Sequence, residues 1–233
     1  MSPTKSSFLQ MVKFIKRDKM LLATAIAPIL AGLAIKFGIP LIEKGLVSLT
    51  GAREVLVPYY GIFDILLAAL TPVMIGFVVA MIMLEERDDH IDKYLFVTGL
   101  GRKGYFLSRI GLPAGFALLV TLILLPLFCI TRLSIAEIAL LAIVGTLQGI
   151  LISLMVLTFS TNKLEGMAVT KLSSLIMMGC LIPFFVPTPL RYVFTFMPSY
   201  WTGAGIAEGN ALLMLPGVGI AALWILILYK VKD

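Results

Sequence analysis

Long apolar runs, each close to the length of a membrane span, constrain the fold of this chain more than any other feature. A helix needs about 20 predominantly apolar residues to cross the hydrocarbon core of a bilayer. Candidate spans cover roughly residues 20–39, 62–84, 107–130, 134–160, 172–187 and 211–229. Only 14% of the 233 residues are charged, against about 25% in ordinary soluble domains. The sequence therefore predicts an all-α, polytopic membrane protein with one transmembrane domain of six helices over residues 1–233.

The residues before the first span predict an amphipathic helix over residues 1–19. Phe8, Met11, Val12 and Ile15 recur at helical spacing, and basic residues take other positions. Such a helix lies along the inner membrane surface with its apolar side in the bilayer interface. A frayed basic tail is the alternative.

The segment after the fourth span predicts a broken path through the membrane. The fifth span is interrupted at Pro183, Pro187 and Pro189, and an aromatic, apolar stretch follows it. Proline removes a helical hydrogen bond and ends or kinks a helix. We therefore expect a short fifth helix and then re-entrant or interfacial helical pieces before the sixth span.

The distribution of basic residues predicts the orientation of the spans. If the N terminus is cytoplasmic, most Lys and Arg residues fall in inner segments, and the outer segments hold Lys44, Arg53, Arg132 and Arg191. Cytoplasmic loops of membrane proteins carry such an excess of Lys and Arg. We therefore expect a multi-pass protein of the plasma membrane with both termini in the cytoplasm.

The connection between the second and third spans is unusually long and charged. It contains Gly99-x-Gly101-x-x-Gly104, which on paper matches a dinucleotide-binding fingerprint. That fingerprint requires a preceding strand, a following helix and an acidic residue about 20 positions further on. Here it lies between two spans, and the next acidic residue is Glu137. A phosphate-binding loop is therefore disfavoured, and a solvated connector remains possible, although two to eight residues suffice to join two helices.

The same connection predicts a short amphipathic helix of about ten residues. Asp88 or Asp89 is suited to cap its N terminus, and Gly99 is suited to end it. An apolar face on such a helix meets either lipid headgroups or a partner protein, and the acidic start makes anionic lipid the less favoured contact. The apolar face is expected to comprise Ile91, Tyr94 and Leu95.

The run LEERDDHIDKYLFVTGLGRKGYFLSRI, residues 84–110, resembles the first cytoplasmic loop of ABC-2-type transporter permeases. In that family a span ends in an acidic and basic cluster, a short coupling helix and a Leu-x-x-Thr turn follow, and an aromatic-Leu-x-x-basic pattern begins the next span. The matching residues are Glu85, Glu86 and Arg87 in the cluster, Tyr94 to Thr98 around the turn, and Tyr105, Phe106, Leu107 and Arg109 at the next span. Gly99 stands where the family often has proline, and His90-Ile91 stands near its usual Gly-Thr.

The resemblance implies that the loop is a coupling helix seated in a groove of a separate ATP-binding subunit. It also implies a second permease half, identical or closely related, and alternating access driven by ATP-Mg in the partner subunit, with no cofactor in this chain. The implied cargo is amphipathic or hydrophobic: a drug, a peptide antibiotic or a lipid-like compound. The lipid bilayer is the other expected partner, and nucleic acid is not. The residues implied in coupling are Glu85, Glu86, Arg87, Asp88, Ile91, Tyr94, Leu95 and Thr98.

Polar residues within the apolar segments are candidates for the substrate path, because lipid tolerates few polar groups that have no function. Gln148 falls near the middle of the fourth span between two glycines, where helix packing or a role in a substrate cavity or dimer axis explains it. Asp64 begins the second span, and we expect it at the outer interface. Arg191 either anchors the broken outer segment or attracts an anionic group.

The residue inventory disfavours other functional classes. His90 is the only histidine, and Cys129 and Cys180 both lie in apolar runs. Neither a metal site nor a disulfide framework is therefore predicted, and no nucleophile–base pair indicates catalysis. The alternative functions are a membrane-embedded enzyme or assembly factor without an ATPase, and an ion-coupled secondary transporter. The second is disfavoured because no acidic residue lies near the middle of a predicted span.

Overall fold

The computed structural model describes residues 3–17 and 19–232. Within these ranges, nothing is described of the side chains at 3–5, 14–17, 20–22, 24, 25 and 232. The predicted apolar position of the Ile15 side chain therefore lies outside what the structure describes. The helices are α1 Pro3–Arg17, α2 Lys19–Leu33, α3 Ile39–Thr50, α4 Tyr60–Asp88, α5 Ile91–Val97, α6 Gly101–Phe106, α7 Leu112–Phe128, α8 Ile135–Phe159, α9 Lys163–Ser173, α10 Ile182–Phe185, α11 Pro198–Ala207 and α12 Leu215–Lys232.

Short π and 3-10 segments join several of these helices into continuous rods. The described residues contain no strand, and they contain six helical stretches long and apolar enough to cross a membrane. The prediction of an all-α, six-span membrane protein is therefore confirmed. These stretches are Ile26–Thr50, Val57–Asp88, Gly101–Phe128, Ile135–Phe159, Lys163–Phe185 and Ala211–Val231.

Two of the spans begin or end away from the positions that hydropathy suggests. The first continues to Thr50 rather than ending near residue 39, because Pro40 falls in the first turn of α3 and is compatible with a helix there. The fifth begins at Lys163 rather than near 172, since Asn162 caps α9 by accepting a hydrogen bond from the Glu165 amide at 2.9 Å.

The helices α4 and α8 form the centre of the bundle. In the most apolar part of each, 72% and 67% of the residues are buried, against 17–28% in the other four spans. The other four spans therefore have most of their residues exposed outside the bundle, and the packed core follows the α4–α8 contact.

Small residues bring the backbones of α4 and α8 together. A Cβ atom at Gly149 would lie 2.5 Å from the carbonyl oxygen of Pro72, and one at Gly145 would lie 2.8 Å from that of Ala68. Pro72 has no amide hydrogen to donate to Ala68, so the carbonyl that it leaves free packs against a glycine of the neighbouring helix. Further along, the Ser153 hydroxyl donates to the Gly76 carbonyl at 2.9 Å. Each facing pair is 77 residues apart in sequence, so the two helices run parallel and in register.

The chain segments expected in the cytoplasm lie at one end of the bundle. There the Arg109 guanidinium donates to the Ser7 carbonyl of α1 at 2.9 Å, and Phe106 of α6 contacts Tyr229 near the end of α12, with ring centroids 6.2 Å apart. Both ends of the described chain therefore lie beside α5 and α6. We call this the α5 end.

The segment between the fifth and sixth spans is broken into short helices, as predicted, but the break follows Phe185, because Pro183 lies in the first turn of α10, where a helix tolerates proline. A 3-10 segment, Leu190–Phe194, is followed by α11, which is buried along most of its length. Gly203 of α11 packs against the backbone of Cys180, in the 3-10 segment Ser174–Leu181 that continues α9. This piece therefore enters the bundle rather than lying on its surface.

Candidate functional site

The short helix α5 closes the α5 end of the bundle between α4 and α6. It spans seven residues, Ile91–Val97, rather than the predicted ten. Neither Asp88 nor Asp89 caps it: Asp88 is the last residue of α4, and His90 occupies the N-cap position in a left-handed conformation with φ 59°. Gly101, with φ 64°, closes the turn into α6 by donating its amide to the Thr98 carbonyl at 3.1 Å. The glycine-rich motif thus forms a turn between two helices.

The face of α5 that points away from the bundle differs from the predicted one. Tyr94 and Val97 are 72% and 84% exposed, and Ile91 is 43% exposed at the edge of this face. Leu95, predicted to share the exposed face, instead packs with Phe96 against the core cluster at the foot of α4. The prediction for Leu95 is wrong because a seven-residue helix has apolar residues on two sides. We call Ile91, Tyr94 and Val97 the outward face of α5.

A buried ion pair fixes the helices on both sides of α5. Arg109 donates from Nε to both carboxylate oxygens of Glu86 at 3.0 Å, and its Nη2 also contacts this carboxylate. Tyr105 donates its hydroxyl to Glu86 at 2.8 Å. The side chains are only 4% exposed for Arg109 and 13% for Glu86. Breaking such a buried pair by removing one partner costs about 3–5 kcal/mol, so α4 and the helical start of the third span are held rigidly together.

The same arginine attaches α1 to the bundle. Besides the Ser7 carbonyl, Arg109 Nη1 reaches the Ser7 hydroxyl at 3.1 Å. Met11 of α1 is buried in the core cluster, and Phe8 packs against it. The helix at the start of the chain therefore packs on the protein through two of its predicted apolar positions, Phe8 and Met11.

Three further charged residues at the end of α4 contact the end of α8 and the start of α9: Glu85, Arg87 and Asp88. Arg87 donates to the carbonyls of Ser160 and Leu157 at 3.0 and 3.2 Å, which satisfies the open C-terminal end of α8. Glu85 pairs with Lys163 at 2.6 Å, and Asp88 accepts from the Lys163 amide at 3.3 Å. Every residue from Glu85 to Asp88 thus joins α4 to a neighbouring helix, and Thr98 donates to the Leu95 carbonyl at 2.7 Å to end α5.

Comparison with known proteins identifies the family. A family model described as "Fluoroquinolones export permease protein Rv2686c-like" matches residues 11–229. The chain belongs to this family. No curated protein and no solved structure matches the chain.

The family description makes the chain a drug-export permease rather than an enzyme. Six membrane-spanning helices and this membership together identify a multi-pass membrane protein. The resemblance to exporter permeases that was apparent in the sequence is consistent with this family.

Asp64 of the permease is buried near the start of α4. Asp64 is fully buried, and its carboxylate accepts from the amides of Ile130 and Thr131 at 2.9 Å each, and from the Thr131 hydroxyl. These contacts fix the connection between α7 and α8 at the end of the bundle opposite α5. Its place near the start of α4 agrees with the expected depth, but Asp64 is enclosed by the protein, and its partners lie more than 60 residues away in sequence.

Gln148 lies in the middle of the α4–α8 contact of the permease. The glycines that flank it are the ones that approach Ala68 and Pro72, and in this register Gln148 is level with Thr71. Thr71 Oγ1 and Gln148 Nε2 are each buried without a hydrogen-bond partner among the described residues. The two glycines support the helix-packing interpretation. The amide nitrogen of Gln148 has no partner in this packing, so a role in a substrate cavity or at a dimer axis stays a prediction.

Arg191 anchors the broken segment between spans five and six. Its guanidinium donates to Glu208, just after α11, at 3.0 Å and lies over the Tyr192 ring at 5.4 Å. The structure brings Gln148, Asp64 and Arg191 to three separate places rather than to one site.

Proposed function

We propose that this chain is the membrane-spanning half of an ATP-driven exporter and that α5 docks on a separate ATP-binding subunit. The outward face of α5 carries this proposal: Tyr94 and Val97 are among the most exposed large apolar side chains at the α5 end. An apolar face outside the bilayer is stabilised by burial on a partner. The nucleotide, as ATP-Mg, binds in that partner.

The contacts around α5 are suited to transmit movement. Inward packing of Leu95 and Phe96 attaches α5 to the core, and the Glu86–Arg109 pair fixes the two spans that α5 connects. A push on α5 is therefore passed to α4, which packs along α8 at the centre of the bundle. Rigid elements of this kind can pass a movement from one site to another.

We propose alternating access in a dimer, because one chain supplies six spans. The second half is another copy or a close relative, and both termini lie in the cytoplasm with α5. The excess of Lys and Arg in the segments at the α5 end supports this orientation. The description of the family supports a drug-like cargo, and a fluoroquinolone is the first compound to test.

Co-purification with candidate ATP-binding subunits tests the docking role. We expect the wild-type chain to retain one such subunit and to raise its ATP hydrolysis in proteoliposomes. The double variant Tyr94→Asp/Val97→Asp places two charges on the outward face and should lose both properties. Leu164→Asp is the matched control, because Leu164 is 80% exposed at the start of α9 and outside α5.

Two results separate the possible outcomes. If the double variant keeps its ATP-binding subunit and its stimulated hydrolysis, α5 does not dock the ATPase. If reconstituted chain exports drug without any ATP-binding subunit when a proton gradient is applied, the chain is an ion-coupled transporter instead.

A further inference from the structure

A cavity of about 210 Å³ lies between α5, α6 and the inner ends of α4 and α8. On α5 it is lined by Asp92 and Phe96, and none of the three residues of the outward face lines it. Its lining combines charged and aromatic groups with an apolar floor. The lining residues are Met83, Arg87, Asp92, Phe96, Arg102, Tyr105, Phe106 and Leu157.

Both signs of charge are present at this cavity. Arg87 and Arg102 supply two guanidinium groups, and Asp92 supplies a carboxylate. Arg87 bonds to two backbone carbonyls rather than to a carboxylate, so its positive charge is held in place without being neutralised by these contacts. Asp92 is on α5, whereas the two arginines are on α4 and α6, so a ligand that touches all three joins three helices.

Aromatic rings form one wall of the cavity. The rings of Phe96 and Tyr105 meet edge to face with centroids 5.2 Å apart, and those of Tyr105 and Phe106 do so at 5.7 Å. Tyr105 is fixed by its hydrogen bond to Glu86. Tyr105 is only 2% exposed, so it supports the wall, and the half-buried rings of Phe96 and Phe106 offer the surface for contact with a flat aromatic ligand.

Two other cavities lack this combination. The crevice across α5, of about 170 Å³, is lined by Glu85, Glu86, Asp89 and Arg109, so acids outnumber bases and Arg109 is paired with Glu86. A cavity of about 190 Å³ beside Trp224 has a lining that is almost wholly apolar. Neither combines a cationic group, an anionic group and a wall of edge-to-face aromatic rings.

We propose that the Arg87–Asp92–Arg102 cavity is a substrate-recognition site for planar aromatic zwitterions, with the ligand carboxylate on the arginines and its amine on Asp92. Fluoroquinolones with a free piperazine nitrogen have this chemistry, so the inference rests on the proposed export function and gives that function a binding site. Arginine matches a carboxylate in charge and in geometry. A ligand here contacts Asp92 and Phe96 on α5, so substrate and ATP-binding subunit act on the same short helix.

Binding of three related ligands to the purified full-length chain in lipid nanodiscs, without an ATPase, tests the site. The probes are ciprofloxacin, its N-acetyl derivative, which lacks the cationic amine, and its ethyl ester, which lacks the carboxylate. Intrinsic fluorescence of the quinolone measures binding. We expect wild-type affinity for each derivative to be about tenfold lower than for ciprofloxacin, since each loses a hydrogen bond between charged groups.

The wild-type chain should thus prefer ciprofloxacin over each of the two derivatives, and each of two variants should remove one of these preferences. Asp92→Asn should bind ciprofloxacin and its N-acetyl derivative with equal affinity, and Arg102→Gln should reduce the preference for the acid over the ester. Asp89→Asn and Lys103→Gln are matched controls that change the same charges beside the cavity and should keep both preferences. Because each preference is a ratio within one variant, a change in the folded fraction does not alter it.

The outcome also separates this site from the proposed function. If Asp92→Asn and Arg102→Gln keep wild-type preferences, or wild-type protein shows none, the site is wrong even when ATP-dependent export is observed. If the preferences shift as expected but no ATP-binding subunit drives export, the site stands and the proposed function fails.

Discussion

Glu86 and Arg109 meet as a nearly enclosed ion pair, with Arg109 Nε 3.0 Å from both carboxylate oxygens. Glu86→Gln leaves the guanidinium without its charge partner in a site that is 4% exposed, and we expect a loss of about 3–5 kcal/mol in the free energy of unfolding. Thermal unfolding in detergent, followed by tryptophan fluorescence, measures this loss. The control is Lys163→Gln in the half-exposed pair with Glu85, for which the expected loss is below about 1 kcal/mol. Equal losses of unfolding free energy in the two variants would contradict the conclusion that Glu86 and Arg109 form a buried, stabilising pair.

The two apolar residues Leu95 and Val97 should respond oppositely to truncation. Leu95→Ala removes a side chain packed on the core, so it should destabilise the permease by about 2 kcal/mol with the ATP-binding subunit absent. Val97→Ala trims an exposed residue, so it should leave the stability of the isolated chain unchanged and weaken binding of the ATP-binding subunit. Melting temperature and co-purification, measured on both variants, give the comparison. If the Leu95→Ala protein is as stable as wild type, Leu95 does not pack on the core, and it belongs to the exposed face.

The close contact of α4 and α8 predicts a high sensitivity at Gly149. Gly149→Ala places a Cβ atom 2.5 Å from the Pro72 carbonyl, so the helices must separate, at a cost of about 1–3 kcal/mol. Gly115→Ala is the matched control, since Gly115 is also helical and has nothing within 4 Å of the added methyl group. Melting temperature in the same detergent distinguishes the two. A loss of stability for Gly115→Ala alone would be inconsistent with this packing.

The buried carboxylate of Asp64 predicts a structural rather than a proton-carrying role. Asp64→Ala removes the acceptor for two amides and a hydroxyl in the α7–α8 connection, so stability should fall by about 2 kcal/mol or more. Proteolysis near residues 129–134 should accelerate. Thr131→Val, which removes only the hydroxyl contact, should show a smaller loss. Export with ATP present should be insensitive to collapse of the proton gradient, and a strict dependence on that gradient would favour ion coupling.

The unpaired amide nitrogen of Gln148 predicts opposite effects of its removal on stability and on transport. Gln148→Leu removes a buried amide nitrogen that lacks a hydrogen-bond partner among the described residues, so the melting temperature should rise or stay unchanged. If Gln148 contributes to the substrate path, export of ciprofloxacin should fall in the same variant. Thr71→Val, at the same level of α4, is the companion variant with an equally buried hydroxyl. A marked loss of stability in Gln148→Leu would show that the amide has a structural partner.

Local patterns in the sequence were sufficient for some features and not for others. The six spans and the break around Pro183–Pro189 follow from hydropathy and proline, which act over a few residues. The face of α5 could not be predicted, because periodicity gives the two apolar sides of a short helix and not the one that meets the bundle. The pairing of Glu86 with Arg109 and of Asp64 with Thr131 joins residues 23 and 67 positions apart. Only the packing of the helices brings these partners together.

The cavity beside α5 was missed for the same reason. In the sequence, Asp92 and Arg102 are ordinary charged residues of a polar loop, and Phe96 is one position of the Leu-x-x-Thr turn pattern. They become a candidate site when α5 and α6 fold back beside Arg87. Charge and aromatic character within a connection between spans were the signals present in the sequence.

Ser7 and Arg109 contribute unequally to the attachment of α1. Arg109 holds the main-chain carbonyl of Ser7 as well as its hydroxyl. A main-chain carbonyl is present whatever the side chain, so substitutions at position 7 retain half of this attachment as long as α1 stays helical. Position 109 has no such freedom, because Glu86 and α1 both depend on its guanidinium. We therefore expect substitutions of Ser7 to weaken the attachment of α1 less than substitutions of Arg109 do.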